Sequence, residues 1–194
     1  LPIYVWAEIF DRKLTAANLF EIQSEIAGKI AGVLQSTLTP QEQARINDRP
    51  TDNLAAYNAY LRGRQALALY SSEGADQALA EFRRAVELDP NFSLAWASLA
   101  RSALQGLFLS DMNRGEALEI TREAATRAIE LNDQIAEAHL AQGWYRYHGF
   151  LDYEGALESF AIAEAGMPDN IAVLGAIGAV KRRQGNWREA LEIF

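Results

Sequence analysis

The chain has 194 residues, of which 49% are hydrophobic and 23% charged, and its formal net charge is −8 at pH 7. This length suffices for one large or two small domains with a buried core, and the apolar fraction excludes a disordered tail. The sequence has no cysteine, which excludes disulfides and thiolate zinc sites. The negative charge argues against nucleic-acid binding, which depends on neutralising phosphates. The longest uncharged apolar run, residues 171–180, is too short to span a bilayer.

The first fifty residues predict one strand and one long helix. Residues 3–9 are rich in β-forming side chains, which favours a short β-strand. Apolar side chains then recur at helical spacing from Leu19 to Leu38, which favours a long amphipathic helix. A lone strand leaves backbone groups unpaired, so we expect residues 3–9 to pair with a second copy of the chain.

Residues 54–194 contain a helical pattern that repeats. Three stretches place a phenylalanine four positions after an alanine, and they begin at Ala78, Ala156 and Ala190. Equivalent alanines are 43 positions apart between Ala85 and Ala128, whereas the later gaps are 35 and 34. A second helical pattern precedes each stretch. The repeating unit is therefore a helical hairpin of about 34 residues.

Small residues in the first helix of each unit match large residues in the second. Ala100, Gly143 and Gly178 allow two helices to approach closely. Phenylalanines of the second helices fill the space that opens, namely Phe82, Phe160 and Phe194. One hairpin cannot cover its own apolar face, so we expect neighbouring hairpins to stack.

Helix ends are marked by proline and by short polar residues. Pro90 and Pro168 each stop a helix, because proline disfavours a helical residue before it. Asp133 and Asn170 are predicted to cap the helices that follow them.

The last copy carries the most complete pattern: Leu174, Ile177-Gly178, Gly185-Asn186-Trp187, Ala190 and Phe194. In this pattern the chain resembles the tetratricopeptide repeat (TPR) family over residues 54–194. The resemblance implies an all-α fold, a TPR-type helical-hairpin solenoid wound as a right-handed superhelix, preceded by the short strand and the long helix. It implies a TPR domain at 51–194 with about 3.5 repeats, at 54–90, 91–133, 134–168 and 169–194.

The chain departs from the TPR pattern in several places, the first being about three extra residues between Gly63 and Ala78. The second copy carries an insertion around residues 108–116, and Gln142 stands where a leucine is usual. The last copy stops at Phe194 in mid-helix, which leaves Trp187 and Leu191 without a following repeat. We expect this end either to be cut or to be covered by another chain, including a second copy in a homodimer.

A second resemblance covers the junction before the repeats. It is carried by Trp6-Ala-Glu, Asp11-Arg12, Leu19-Phe20, Pro50-Thr51 and Ala56-Tyr57. These motifs are similar to the segment that joins a TolB-like domain to TPRs in bacterial multidomain signalling proteins. In those proteins the upstream module is a class III adenylate or guanylate cyclase domain, or a winged-helix regulator domain. The resemblance implies that residues 1–50 are the strand-plus-helix remnant of the TolB-like domain.

Residues that could carry chemistry are few and scattered. His139 and His148 are nine positions apart on one predicted helix, so they point to opposite sides and do not share a metal. Carboxylates are spread along the second helices and favour a solvated face: Glu116, Glu119, Glu123 and Glu130. We therefore predict no catalytic residues, no metal ligands and no cofactor. Any nucleotide cyclase activity would belong to another domain of the parent protein.

The TPR resemblance implies that the first helices line a groove for a protein or peptide partner. The residues predicted to line it are Arg101, Leu104, Gln105, Leu140, Trp144, Tyr147, His148, Ala179, Arg182 and Arg183. Aromatic rings beside arginines suit an extended peptide with a carboxylate, which arginine binds bidentately. In the alternative interpretation, Trp144 and Tyr147 only pack between repeats, and Arg182 and Arg183 are solvated cations at a helix end.

The sequence thus favours a non-catalytic protein-interaction scaffold, forming the C-terminal sensory or partner-binding part of a bacterial signalling protein such as an adenylate cyclase. The alternative is a helical-repeat module that binds nucleic acid, or an accessory part of a winged-helix transcriptional regulator. The net charge of −8 favours the first function. We expect a bacterial cytoplasmic location, with the periplasm as the alternative, and no membrane insertion by this segment.

Overall fold

The structure is a computed structural model that describes residues 16–33, 39 and 49–193. The chain divides into two compact units, Leu1–Leu54 and Ala55–Phe194. The predicted strand at residues 3–9 lies outside the described residues, as do Leu38 and Phe194.

The described part of the first unit is built on helix α1 (Ala16–Val33). This helix confirms the periodic pattern that begins at Leu19. Phe20 is buried, and Glu21 forms an ion pair with Arg49 at 3.0 Å.

Beyond residue 53 every described element is an α-helix, so the described ranges contain no β-strand. The helices are α2 (Leu54–Leu67), α3 (Ser72–Leu88), α4 (Ser93–Leu109), α5 (Arg114–Leu131), α6 (Ala136–Phe150), α7 (Tyr153–Gly166), α8 (Ile171–Arg183) and α9 (Trp187–Ile193). They pair into four hairpins, α2/α3, α4/α5, α6/α7 and α8/α9. The all-helical prediction is confirmed for these residues.

The match between small and large residues is a direct steric fit. A Cβ added at Gly143 would overlap the ring of Phe160, and one added at Gly63 would lie 2.7 Å from Cε1 of Phe82. Both phenylalanines are fully buried. Glycine at these two positions therefore sets how closely the paired helices approach.

Polar side chains begin the second helix of the first three hairpins. Ser71 Oγ accepts a hydrogen bond from the Gly74 amide, and Asn113 Oδ1 accepts one from Gly115. Asp152 Oδ1 likewise accepts from the Gly155 amide. These caps satisfy amides that lack partners within the helix, so each hairpin turn ends in a defined helix start.

The predicted helix ends are largely confirmed. Helix α3 ends before Asp89-Pro90, and α7 ends before Met167-Pro168. Asn170 caps α8 by accepting a hydrogen bond from the Ala172 amide at 2.9 Å. The prediction for Asp133 is wrong, because α6 begins three residues later at Ala136, beyond the reach of a cap.

Neighbouring hairpins pack through their first helices. Helix α4 contacts α6, and α6 contacts α8, in addition to the contacts between consecutive helices. Most fully buried positions in these interfaces hold alanine, for example Ala97, Ala128 and Ala138 in one cluster. Because alanine side chains are short, helices that meet at these positions approach one another closely.

Candidate peptide-binding groove

The first helices line two cavities that together form one groove. The larger cavity has a volume of about 580 Å³ and the smaller one about 390 Å³. Arg101 of α4 and Glu137 of α6 line both cavities. The two cavities are therefore adjacent parts of one surface.

The larger cavity gathers nine of the ten residues predicted from the sequence. They are Arg101, Leu104, Gln105, Leu140, Trp144, Tyr147, His148, Ala179 and Arg182. Arg183 is exposed on the last turn of α8 but lines neither cavity. The predicted residues of helices α4, α6 and α8 thus line the same cavity, as expected when the first helices of neighbouring hairpins stack.

Three of these side chains form the floor rather than the rim. Leu104, Leu140 and Tyr147 are at most 9% exposed, so packing holds them in place. Gln105 is fixed as well, because its Nε2 donates a hydrogen bond to the Leu67 carbonyl at 3.1 Å. These residues shape the cavity more than they offer free polar groups to a partner.

Trp144 belongs both to the core and to the cavity wall. Its ring meets Phe160 edge-on with centroids 5.4 Å apart and stacks on His148 at 5.1 Å. Tyr147 meets Trp144 edge-on at 5.6 Å. The two interpretations of these aromatics are therefore compatible, since one side of Trp144 packs while the indole also lines the cavity.

His148 is held as a neutral ring. Burial, with a smaller contribution from the Arg114 charge, lowers its pKa from 6.5 to about 4. The Arg114 guanidinium also donates a hydrogen bond to the His148 carbonyl. Because the imidazole stays uncharged at neutral pH, this wall of the cavity is aromatic and not cationic.

The smaller cavity combines a buried phenol with an arginine. The Arg64 guanidinium lies over the Tyr60 ring, 5.8 Å from its centroid. Burial raises the pKa of Tyr60, an effect that Arg64 partly offsets. Leu94 and Ser98 of α4 complete the lining beside Arg101. The cavity is thus mixed in polarity, with its positive charge supplied by arginine.

Two arginines that line the larger cavity lack the ion pairs that several arginines on other surfaces form. Arg62 pairs with Glu81 at 2.8 Å, and others pair on exposed surfaces of the second helices. Within residues 49–193, Arg101 and Arg182 form no ion pair. The groove therefore offers guanidinium groups that are not already neutralised, on a chain whose net charge is −8.

Sequence reasoning missed part of the lining. Phe108, Tyr70 and Asn170 also line the larger cavity, and Arg64 lines the smaller one. Phe108 lies at the start of the insertion that interrupts the repeat pattern, and this departure was the signal that could have found it. Tyr70, Asn170 and Arg64 lie outside helices α4, α6 and α8, from which the predicted groove residues were taken.

The two histidines occupy different environments, as their spacing predicts. His139 is 7% exposed, and its Nε2 lies 2.8 Å from the Asp133 carbonyl oxygen, so it is a packing residue. His148 lines the groove instead. In the ranges that the structure describes, no three His, Cys, Asp or Glu side chains cluster as a metal site would require.

The predicted acidic face is exposed. Glu116, Glu119, Glu123 and Glu130 are each more than half exposed on α5. Among residues 16–33 and 49–193, no helix has the length and hydrophobicity to cross a bilayer.

No protein-family model matches the chain. A curated relative, the "Putative adenylate cyclase 3" of Rhizobium meliloti (strain 1021), is 30% identical over 149 residues. The alignment covers 74% of this chain but only 25% of the relative, so the chain spans about a quarter of that protein's length.

Two solved structures share the fold. The first TPR of Spaghetti (RPAP3), bound to the HSP90 peptide SRMEEVD, is 14% identical with a TM-score of 0.53, over 71% of this chain and 99% of that one. The Arabidopsis OM64 TPR domain is 16% identical with a TM-score of 0.53, over 67% of this chain and 97% of that one. The fold is that of a TPR domain. This confirms the fold expected from the repeats.

Proposed function

We propose that this chain is a non-catalytic TPR scaffold that binds an extended acidic peptide in its groove. The observation that carries the proposal is that Arg101 and Arg182, which line the larger cavity beside aromatic and apolar side chains, form no ion pair with any residue in 49–193. Arginine binds carboxylates bidentately, and the bond gains strength where surrounding apolar groups exclude water.

The charge distribution favours a local acidic ligand over a general attraction to anions. A net charge of −8 repels polyanions at long range, so binding has to rely on the arginines within the groove. Glu137 is a carboxylate on the same surface and would disfavour ligand charge next to it. These features favour a peptide with a few spaced carboxylates over nucleic acid, whose charge is continuous.

The solved RPAP3 domain supports this choice of ligand. Its peptide, SRMEEVD, carries three acidic residues and one arginine. At 14% identity that structure shares the fold and not the side chains of this groove. The proposal for this chain therefore rests on its own arginines, and the RPAP3 complex indicates only that a TPR fold presents a surface suited to such a peptide.

A binding measurement with matched charge variants tests the proposal. The probe is a fluorescein-labelled peptide of alternating aspartate and glycine, followed by fluorescence anisotropy, with a lysine-glycine peptide as comparison. We expect binding of the acidic probe only, and at least a tenfold loss, about 1.4 kcal/mol, in the double variant Arg101→Gln with Arg182→Gln.

The control removes the same charge elsewhere. Arg83→Gln with Arg188→Gln takes two arginines from outside the groove, where both already lie near glutamates. Equal losses in the two double variants would show that only net charge matters and would contradict a groove site. Salt-sensitive micromolar binding of an RNA oligonucleotide would instead favour the nucleic-acid alternative.

We propose further that the chain belongs to a bacterial signalling protein with a nucleotide cyclase domain. The Rhizobium meliloti relative named as a putative adenylate cyclase supports this context, and so do the junction motifs. In this proposal residues 1–50 are the remnant of a TolB-like domain and 51–194 form the TPR domain, with repeats at 54–90, 91–133, 134–168 and 169–194. A winged-helix regulator is the alternative parent.

An activity assay on the protein encoded by the full open reading frame identifies the parent. We expect cyclic nucleotide formation from ATP or GTP in a protein that contains these residues, and none in the 194-residue chain alone. A full-length protein that binds DNA and forms no cyclic nucleotide would replace the cyclase by the regulator.

Self-association is a separate part of the proposal. Trp187 and Leu191 on α9 are 62% and 76% exposed, which leaves an apolar face that a second copy could cover. The other route is strand pairing through residues 3–9. Light scattering of a variant lacking residues 1–13 and of Leu191→Glu distinguishes the two, because only the variant that removes the contact becomes monomeric. A wild-type monomer would contradict both routes.

A further inference from the structure

The second hairpin is longer than its neighbours at the end that borders the groove. Its alanines are 43 positions from those of the preceding hairpin, against 35 and 34 for the later pairs. Helix α4 has 17 residues, compared with 15 in α6 and 13 in α8. The extra length places Phe108 in the last turn of α4, beyond the point at which the later first helices have ended.

Phe108 is a large apolar side chain that the fold leaves open to solvent. It is 62% exposed, yet its ring meets the His148 ring edge-on with centroids 5.1 Å apart. It also lines the larger cavity. A phenylalanine so exposed contributes little to folding, because most of its surface remains in water.

The segment that follows Phe108 is fastened at several points. Ser110 Oγ donates a hydrogen bond to the Gly106 carbonyl at 3.1 Å, and Asn113 caps α5. The Arg114 guanidinium donates to the His148 carbonyl, which joins the start of α5 to the end of α6. The rim that carries Phe108 is therefore held in place before any ligand arrives, which lowers the entropic cost of binding.

Phe108 extends a row of rings that crosses the cavity wall. Phe108 meets His148, His148 stacks on Trp144 with an interplanar angle of 13°, and Trp144 meets the buried Phe160. The row runs from the solvent-exposed rim to the core. A ring or long aliphatic group from a ligand would find an apolar surface on the part of the row that lines the cavity, formed by Phe108, His148 and Trp144.

We infer that the larger cavity is a subsite for one large apolar side chain, aromatic by preference, of the acidic peptide, and that Phe108 is the residue that determines this specificity. The inference rests on the proposed function, since Arg101 and Arg182 on the same cavity would bind the flanking carboxylates. Those two cations also oppose a cationic side chain, which aromatic walls alone would accept. At about 580 Å³ the cavity has room for an indole together with adjacent backbone.

The test compares two pentapeptides that differ only at the centre. Both are labelled with fluorescein and have two aspartates on each side of the central residue, which is tryptophan in one and glycine in the other. With the 194-residue chain we expect the tryptophan probe to bind at least about tenfold more tightly, because burial of an indole is worth this much or more.

Substitutions of two exposed phenylalanines test whether Phe108 causes the preference for the tryptophan probe. Phe108→Ala is expected to reduce the preference for tryptophan to about twofold or less, whereas the glycine probe should still bind through the arginines. Phe108→Tyr should retain the preference. The matched control is Phe150→Ala, because Phe150 is 66% exposed and packs on Tyr145 without lining either cavity.

The outcomes separate this inference from the function on which it rests. Equal binding of both probes would overturn the aromatic subsite and leave the acidic-peptide proposal standing. Failure of both probes to bind would overturn the acidic-peptide proposal and the subsite with it. A preference that survives in Phe108→Ala, or is lost equally in Phe150→Ala, would overturn the role of Phe108. Circular dichroism confirms that each variant is folded.

Discussion

The two faces of helix α6 are built on opposite principles. Towards α7, Gly143 fits against the fully buried ring of Phe160 with no space to spare. Towards the groove, Trp144 and His148 are only partly buried, and the space in front of them is open. The first face fixes the distance between helices, whereas the second leaves room for a partner. Substitutions on the first face should therefore change stability, and those on the second should change binding.

The largest effect is expected from emptying the packed face. Phe160→Ala should lower the free energy of unfolding by about 3–5 kcal/mol, because it removes a fully buried ring and leaves a cavity between α6 and α7. Urea denaturation followed by circular dichroism measures the loss. Phe150→Ala, at the end of the same hairpin but exposed, should change the free energy by less than about 0.5 kcal/mol. Similar losses in both variants would contradict the contrast.

Overfilling the same face should cost less. Gly143→Ala introduces a methyl group that overlaps the Phe160 ring, and we expect a loss of about 1–3 kcal/mol. The control is Gly149→Ala on the same helix, where the nearest side-chain atoms would lie 3.8 Å from the new Cβ. That change should be neutral or stabilising by up to about 1 kcal/mol, since alanine favours the helix. A stabilised Gly143→Ala variant would show that the fit is loose.

A pH-dependent effect is expected on the groove face. The pKa of His148 is about 4 in the folded chain against 6.5 in the unfolded one, so the unfolded chain binds the proton first as the pH falls. The stability that the chain gains by keeping the His148 ring neutral is fully present above pH 6.5. Protonation of the unfolded chain lowers the free energy of unfolding progressively between about pH 6.5 and pH 4. The urea midpoint of the wild type should therefore fall more between pH 7 and pH 5 than that of His148→Gln. Parallel curves for the two proteins would show that the folded-state pKa is unshifted.

The smallest effect is expected from the arginines at the end of α8. Arg182→Ala with Arg183→Ala should change the free energy of unfolding by less than about 0.5 kcal/mol, because both are exposed and neither forms an ion pair within the described part of the second unit. Thermal melting checks this. A drop of many degrees would mean that the pair supports the helix and is not kept for a ligand.

The packed face of α6 could be predicted from the sequence more completely than the face that lines the groove. Glycine opposite phenylalanine at a fixed distance along the chain has one economical explanation, a close approach of two helices, so Gly143 and Phe160 were predictable from spacing. The position of Arg183 was not, because adjacent helical residues lie about 100° apart and a small rotation decides which one lines a cavity. Phe108 escaped because an insertion breaks the register on which the repeat comparison depends.

The exact start of a helix is also only partly predictable from the sequence. Asn170 was correctly predicted as a cap, since its side chain reaches an amide two residues ahead. Asp133 was not one, because α6 begins at Ala136 and Asn132 instead accepts a hydrogen bond from the Gln134 amide. Composition locates a turn, but the exact residue at which a helix begins depends on how the turn packs.

The alanine-rich interfaces have a consequence for how this protein would respond to a ligand. In the cluster of Ala97, Ala128 and Ala138 the methyl groups have no rotamers to change, so helices α4, α5 and α6 have few ways to adjust where they meet. To widen the space in front of Trp144, whole helices would have to separate, at a cost shared by every contact along them. Different ligands would therefore be accommodated by movement of the longer side chains at the rim of the groove. The helices behind those side chains would keep the width of the groove constant.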